Sequence, residues 1–277
     1  MYYKSQMNLI KNLNIFLKQN KNLPLLKKDI LKLKKDFLDK KNFHIVIKNF
    51  EPDTKKMENK IIKFSKLLGT PLAQNKLGKK YVKIKPNVQL IEKRKINKNI
   101  KLRYHQTNAG GAIHSDGPQL STPPKYVIMG CIRQAREGGF SIVTSAQKIS
   151  KFLKYNRPDI LKTLKENFYF ERRGFNYSNN NIFYKPIFSI KKNYFRFRYL
   201  REYIEAAYKL KKKNISKKKI EALNFLDDLL KKKKFQYQYK LNNGDIIILN
   251  NNYLAHGRSS FKINGSEQRS LMRVWTK

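Results

Sequence analysis

The sequence predicts an α+β chain with a mainly β core, a sandwich or jelly roll flanked by helices. Three observations predict it. Short stretches that alternate apolar with polar, or are wholly apolar, recur through the chain, among them 125–133, 235–241 and 269–276. Gly, Asn and Pro clusters separate them. Helical patterns stand before and between these strands.

The elements follow in order. Residues 1–42 read as helical, with Leu26, Ile30, Leu33 and Phe37 spaced for one face; 1–40 form a helical N-terminal extension. "FHIVIKNF", 43–50, is strand-like. Residues 51–71 read as a helix capped by Asp53 or Thr54, with Met57, Ile61, Phe64 and Leu68 in one stripe and Gly69 at its end before Pro71. "KYVKIKP" alternates as a strand does. The apolar run 125–133 suits a buried strand, and "GGFSIVTS" is a strand with a Gly-rich entry. Helices are expected at 146–155 and 158–166, the second with Pro158 in its first turn. "NFYFERR", "IFYKPIFSI" and "YFRFRY" read as short strands. A helix over 216–232 carries Ile220, Leu223, Leu226 and Leu230 on one face. "FQYQYKL" alternates strictly, "NNGD" is a hairpin-type turn, and "IIILNNN", "YLAHGRSSF" and "RSLMRVWT" make three closing strands. The last strand is expected to close the sheet. No internal repeat and no linker interrupts the chain, so 1–277 reads as one domain.

Composition narrows the class. The chain has 277 residues and a formal net charge of +43, from 62 Lys+Arg against 19 Asp+Glu. Such charge attracts polyanions. A nucleic-acid surface would interleave Arg with exposed aromatics. Here lysines lie in scattered runs such as "KLKKKNISKKK" and "LLKKKK", which look like solvated helix faces and loops in an AT-rich coding sequence. No specific nucleic-acid recognition is therefore expected. No stretch approaches 18 apolar residues, and the first 20 residues lack a signal-peptide pattern. No membrane association is expected, and the cytoplasm is the default compartment. The single cysteine, Cys131, excludes an intrachain disulfide and reads as a buried structural thiol.

Chemistry concentrates in "AIHSDGP", 112–118. In an extended segment, side chains at i and i+2 point to one side, so His114 and Asp116 can reach one metal. Imidazole plus carboxylate suits Fe(II) or a similar divalent ion. The third ligand must come from a distant strand. His256, 140 residues beyond Asp116, is the candidate. Two His and one carboxylate leave three coordination positions open, the arrangement non-heme Fe(II) oxygenases use. His44 sits in an apolar strand and reads as a core or surface residue. His105 lacks a carboxylate at i+2. The glycines near the pair are expected to leave room for metal and substrate. Arg269 is 13 residues after His256, and Arg273, four further on, shares its face if the strand is regular. Either can clamp a dicarboxylate through its guanidinium, or lie on the surface of a basic protein.

These pieces together resemble the TauD/TfdA (taurine dioxygenase-like) family of Fe(II)/2-oxoglutarate oxygenases. "NFHIVIKNF" and a helix ending "LLGTP" are followed by "IHSDGP", "REGGFSIVTSA", "NNGDIIILNNNYLAHGRSSF" and "RSLMRVW", in the family's order over roughly 40–277. The resemblance implies a double-stranded β-helix (jelly-roll) core. It implies iron on His114, Asp116 and His256, with O2 and 2-oxoglutarate as cosubstrates. Arg269 would hold the distal carboxylate of 2-oxoglutarate. Ser141 of "GGFS" stands where the family often has Thr, keeping a hydroxyl for that cosubstrate. Arg273 matches a second family arginine that touches cosubstrate or substrate. Halogenases on this fold resemble "HxG" or "HxA", so Asp116 favours hydroxylation.

The implied reaction decarboxylates 2-oxoglutarate to succinate and oxidises an unactivated C–H of a small molecule, an amino acid or a specialised metabolite. Substrate contacts are expected from "YHQTNAGGA", from Gln119, and from "FERRGFNYSNNN" and "FRFRY". There Arg172, Arg173, Arg196 and Arg198 either pair with an anionic substrate or serve the structure. A nucleic-acid or protein oxygenase is the alternative enzyme, supported by charge alone. A non-catalytic binding module on this fold is opposed by the intact triad and Arg269. A homo-oligomer stays open.

Overall fold

The computed structural model describes residues 2–19, 23–39, 43–75, 77–98, 106–173, 181–263 and 268–277. Its core is two antiparallel sheets face to face, the jelly roll the strand pattern predicts. The larger sheet has the order β1 (His44–Ile47), β11 (Ile246–Asn250), β4 (Tyr126–Arg133), β13 (Ser270–Thr276), β2 (Tyr81–Ile84). The smaller has the order β10 (Gln236–Tyr239), β5 (Ser141–Ser145), β12 (Leu254–Arg258), β3 (Gly111–His114).

The period of two along each strand builds two cores on the larger sheet. Tyr126, Ile128, Ile246, Ile248, Met272 and Val274 pack under an N-terminal helical layer. That layer comprises α1 (Tyr2–Gln19), α2 (Leu23–Leu33), a π-helical turn (Lys34–Leu38) and α3 (Met57–Leu68). The residues between them, Val127, Met129, Cys131, Ile247, Leu249, Leu271 and Trp275, join Val143 and Leu254 in the space between the sheets. Cys131 is fully buried, and burial pushes its thiol up to about 12, so it is an inert core residue. His44 is also core, with Nε2 at 2.6 Å from the Tyr239 hydroxyl.

A third layer covers the smaller sheet. It holds α5 (Ala146–Asn156), α6 (Pro158–Leu164), α7 (Arg201–Leu210) and α8 (Lys217–Lys231). Two hairpins complete it, β6 (Asn167–Glu171) with β7 (Ile182–Pro186) and β8 (Phe188–Lys191) with β9 (Tyr194–Phe197). The lysine runs are solvated as expected: Lys211–Lys213 and Lys231–Lys234 are all exposed.

Several expectations change. The N-terminal helical region is two helices and a π turn. Asp53 and Thr54 do not cap α3; they form a turn through their carbonyls, and the helix starts at Met57. Its stripe of Met57, Ile61, Phe64 and Leu68 is buried as predicted. On α8, Ile220 is 39% exposed, and Ala222 and Leu229 complete the buried face instead. "IFYKPIFSI" breaks at Ile187, whose N–H turns to the Leu164 carbonyl. "NNGD" joins strands of different sheets rather than a hairpin; Gly244 takes φ +87° there and Asp245 accepts from Asn49 and Asn242. The last strand, β13, completes the larger sheet from within, between β4 and β2. Helices α4 (Val88–Ile96) and α7 were not expected from the pattern.

The α3 stripe gives a stability prediction. Phe64 is fully buried, edge-on to Phe50 at 5.3 Å between ring centroids. Phe64→Ala is expected to cost about 3–5 kcal/mol, the usual range for a buried aromatic. Urea unfolding reads this as a lower midpoint at unchanged slope.

Candidate active site: a two-histidine, one-carboxylate centre in an arginine-lined cleft

β3 and β12 pair in the smaller sheet, with His114 directly opposite His256. This register places the two rings 4.7 Å apart between centroids. Asp116 follows β3 by two residues and closes the triangle. Its Oδ1 lies 3.7 Å from His114 Nε2 and its Oδ2 3.7 Å from His256 Nε2. One ligand atom from each residue lies within 4.8 Å of the others, the one such cluster among the described residues.

Each ligand is oriented. His114 Nδ1 donates to the Ala112 carbonyl at 2.6 Å, which sets the tautomer and turns Nε2 toward Asp116. The Asp116 backbone is locked to Asn251, whose side chain accepts from its N–H at 2.8 Å and donates to its carbonyl at 2.9 Å. The carboxylate accepts from Arg273 Nη1 at 2.8 Å and from Trp275 Nε1 at 2.9 Å. Gln74 braces Arg273, accepting from its Nε at 2.9 Å.

The electrostatics suit a cation. Burial alone would raise the Asp116 carboxyl, but Arg273, with His256 and His114, outweighs it and holds the group far below the usual carboxylate range. Burial pulls His256 down to about 3, with Asp116 opposing, so its imidazole is neutral. Two imidazoles and one carboxylate on a shared face fit an octahedral divalent ion with positions left for other ligands.

The triad opens into a cleft of about 150 Å³. Arg269, Arg273, Arg258 and Ser141 line it with Gln74, Gln119, Leu271 and Trp275. Arg269, Leu271, Arg273 and Trp275 share parity along the last strand, so all four reach this face. Arg269 is 3% exposed and donates from Nε to Gln134 at 3.0 Å. Gly139 explains the Gly-rich entry to β5: its φ is +70°, and a Cβ there would meet Arg269 at 3.0 Å. Gly117 has a different reason from the one expected. It takes φ +62°, and a Cβ would press on Leu120 and Pro124 rather than fill the metal site.

Of the other expected residues, Arg198 serves the structure. Its buried guanidinium donates to the carbonyls of Pro118, Leu120 and Ser121, clamping the segment after Asp116. Arg173 reaches the cleft; Arg172 and Arg196 do not line it. His105 lies outside the described residues, as do 174–180 of the "FERRGFNYSNNN" segment. Sequence reasoning missed Trp275, Asn251 and Gln74. The only signal available was that Trp275 stands two residues beyond Arg273, on the same face of the strand.

The family model of the taurine catabolism dioxygenase TauD, TfdA family, matches residues 20–275. The chain belongs to this family. It carries the family's HxD…H triad in His114, Asp116 and His256, three residues that could hold one metal ion. FR-33289 synthase of Streptomyces rubellomurinus is 26% identical over 216 residues, 75% of this chain and 60% of that protein. Human gamma-butyrobetaine dioxygenase is 26% identical over 164 residues, 58% of this chain and 42% of that protein. The chain thus spans less than two thirds of either relative. The structure of asparagine oxygenase in complex with Fe(II), 3-hydroxyasparagine and succinate superposes with a TM-score of 0.74 at 13% identity, covering 99% of this chain and 91% of that one. That likeness shows the jelly-roll fold. No described helix is long and apolar enough to cross a membrane.

Trp275 gives a prediction for this TauD/TfdA site. Trp275→Phe keeps a ring in the core and removes the donor to Asp116. Metal affinity is expected to fall roughly 10–100-fold, as for other lost partners of ligating groups. A Mn(II) titration of the folded variant measures it; unchanged affinity would leave Trp275 a packing residue only.

Proposed function

We propose that this chain is an Fe(II)/2-oxoglutarate-dependent oxygenase that hydroxylates an unactivated C–H of a small molecule, an amino acid or a specialised metabolite. The observation that carries it is the triad itself, oriented by Ala112, Arg273 and Trp275 at the base of an arginine-lined cleft. Iron bound there supplies O2 activation coupled to decarboxylation of 2-oxoglutarate. The protein holds the partners in place. Arg269 takes the distal carboxylate of 2-oxoglutarate, and the Ser141 hydroxyl donates to the same cosubstrate. Arg273 acts through Asp116, keeping it ionised and aimed. The whole chain works as one catalytic unit.

The cleft favours a small substrate over a polymer. Its volume of about 150 Å³ is below the roughly 300–1,000 Å³ of sites for drug-sized ligands. The exposed lysine runs lie at helix ends and in turns outside its lining. The test is a panel of amino acids and small metabolites with Fe(II), 2-oxoglutarate and O2, read by mass spectrometry. A substrate gains 16 mass units, or loses 2 on desaturation, as succinate appears. No probe-dependent succinate and no mass change across the panel would count against the reading.

A further inference from the structure

The cleft is lined by charges of both signs. Arg258, Arg269 and Arg273 line it, the last bonded to Asp116 of the triad. The same lining also carries Glu202, Tyr203 and Arg173. There Arg173 is already neutralised: Nε meets Glu171 at 2.9 Å and Nη2 meets Glu202 at 2.6 Å. One guanidinium stands against two carboxylates; of these Glu202, its side chain 55% exposed, lines the cleft and Glu171 stands behind Arg173 outside the lining. In a chain with 19 acidic residues against 62 basic ones, a carboxylate pair beside the site is against the trend.

A second observation comes from Gln119. It lines the same cleft, is 3% exposed, and its side-chain carbonyl oxygen has no hydrogen-bond partner. Buried polar groups are almost always paired, so a lone acceptor in a cleft wall calls for a donor from a ligand. Its backbone is fixed, because Arg198 holds the carbonyls on either side, at Pro118 and Leu120. The terminal torsion of Gln is broad, so the amide can turn to meet a ligand. The start of α7 is tied to the metal-binding segment: Ser115 N–H donates to the Tyr199 carbonyl and Tyr199 N–H to the Ser115 hydroxyl, both at 2.9 Å. Glu202 stands in the first turn of that helix, where the helix dipole favours an ionised carboxylate.

We propose that Glu202 and Gln119 form the substrate-recognition pole of the cleft and take an N–H-bearing cation, a primary ammonium or guanidinium group. The arginines repel that group and attract 2-oxoglutarate, so the two ligands enter in one arrangement. Glu202 supplies charge, with Arg173 holding it in place. Gln119 supplies an acceptor that requires an N–H, which separates a primary amine from a quaternary ammonium. This identifies the substrate class within the oxygenase reading and rests on it.

The experiment measures binding rather than turnover. The chain is loaded with Mn(II) and 2-oxoglutarate without O2, and calorimetry follows the twenty L-amino acids and a set of primary amines. Each is paired with its N-acetyl and N,N,N-trimethyl form. At least one free-amine or guanidino probe binds, and its acetylated and trimethylated forms bind at least tenfold more weakly. Glu202→Gln weakens the free probe by tenfold or more and Gln119→Leu by about tenfold. Glu202→Asp retains most of the affinity, and 2-oxoglutarate affinity is unchanged in all three. Failure of every cationic probe to bind overturns the proposal. So does equal binding of the acetylated or trimethylated form, or indifference to both Glu202→Gln and Gln119→Leu. A probe that binds by these rules yet yields no succinate once Fe(II) and O2 are supplied overturns the oxygenase reading and leaves the cation pole standing.

Discussion

Asp116→Ala is expected to abolish 2-oxoglutarate turnover, with succinate formation falling roughly a thousandfold or more, about 4 kcal/mol at 1.36 kcal/mol per decade. The reason is charge as much as geometry. Asp116 is the one carboxylate in the triad, and it faces Arg273 at 2.8 Å and Trp275 at 2.9 Å. Removing it leaves two imidazoles beside a guanidinium, a buried site that repels a divalent cation. It also strands the Arg273 and Trp275 donors, which costs about 1–3 kcal/mol for each unpaired buried group and more for the charged one. Asp116→Asn separates the two effects. It keeps the shape and loses the charge, so it should fold better than Asp116→Ala while still failing to hold metal. Metal content after dialysis and succinate release check both variants. Activity retained by Asp116→Ala would refute the triad.

Arg269→Ala is expected to raise the KM for 2-oxoglutarate roughly 10–100-fold. Charge-assisted hydrogen bonds contribute about 1.5–3 kcal/mol, which corresponds to that range. Arg269 is buried on the last strand with Nε committed to Gln134, so the guanidinium is fixed before the ligand arrives. The cost of ordering it has been met in folding. Arg269→Lys should fall between the two, because an ammonium keeps the charge and loses the planar fork. Initial rates across a 2-oxoglutarate titration read the change. A larger fall in kcat than in kcat/KM would place Arg269 in some other role.

Much of this site is written in local patterns. The i, i+2 pair of His114 and Asp116 needs only an extended segment, and β3 running into its bend provides one. His256 follows from chemistry, because a two-ligand site needs a third. Arg269 and Arg273 share a face because strand parity is preserved along 269–275, although the pairing with β4 is irregular at Ser270. The stripe of α3 and the apolar run of β4 were legible for the same reason: their burial repeats with the period of the element.

What was not legible depends on tertiary neighbours. Trp275 reads as a core residue from sequence, and only the packing of β13 beneath Asp116 turns its N–H into a positioning group. Asn251 and Gln74 carry no local signature at all, since their partners lie 135 and 199 residues away. Arg198 reads from sequence as either a substrate contact or a structural residue, and its three carbonyl partners, distant in the chain, decide for the second. Helix α7 does have a helical spacing in Ile204, Ala207 and Tyr208, but it is short and follows the aromatic "YFRFRY" strand. Its place beside Ser115 is what brings Glu202 to the cleft.

The most direct test of the central claim is isotopic. The coupled reaction splits O2, placing one oxygen atom in succinate and the other in the hydroxylated product. With Fe(II), 2-oxoglutarate, a substrate from the panel and 18O2, the succinate formed should carry one 18O atom and appear in step with product. Succinate without label, or its formation in the absence of Fe(II) or O2, would contradict the account.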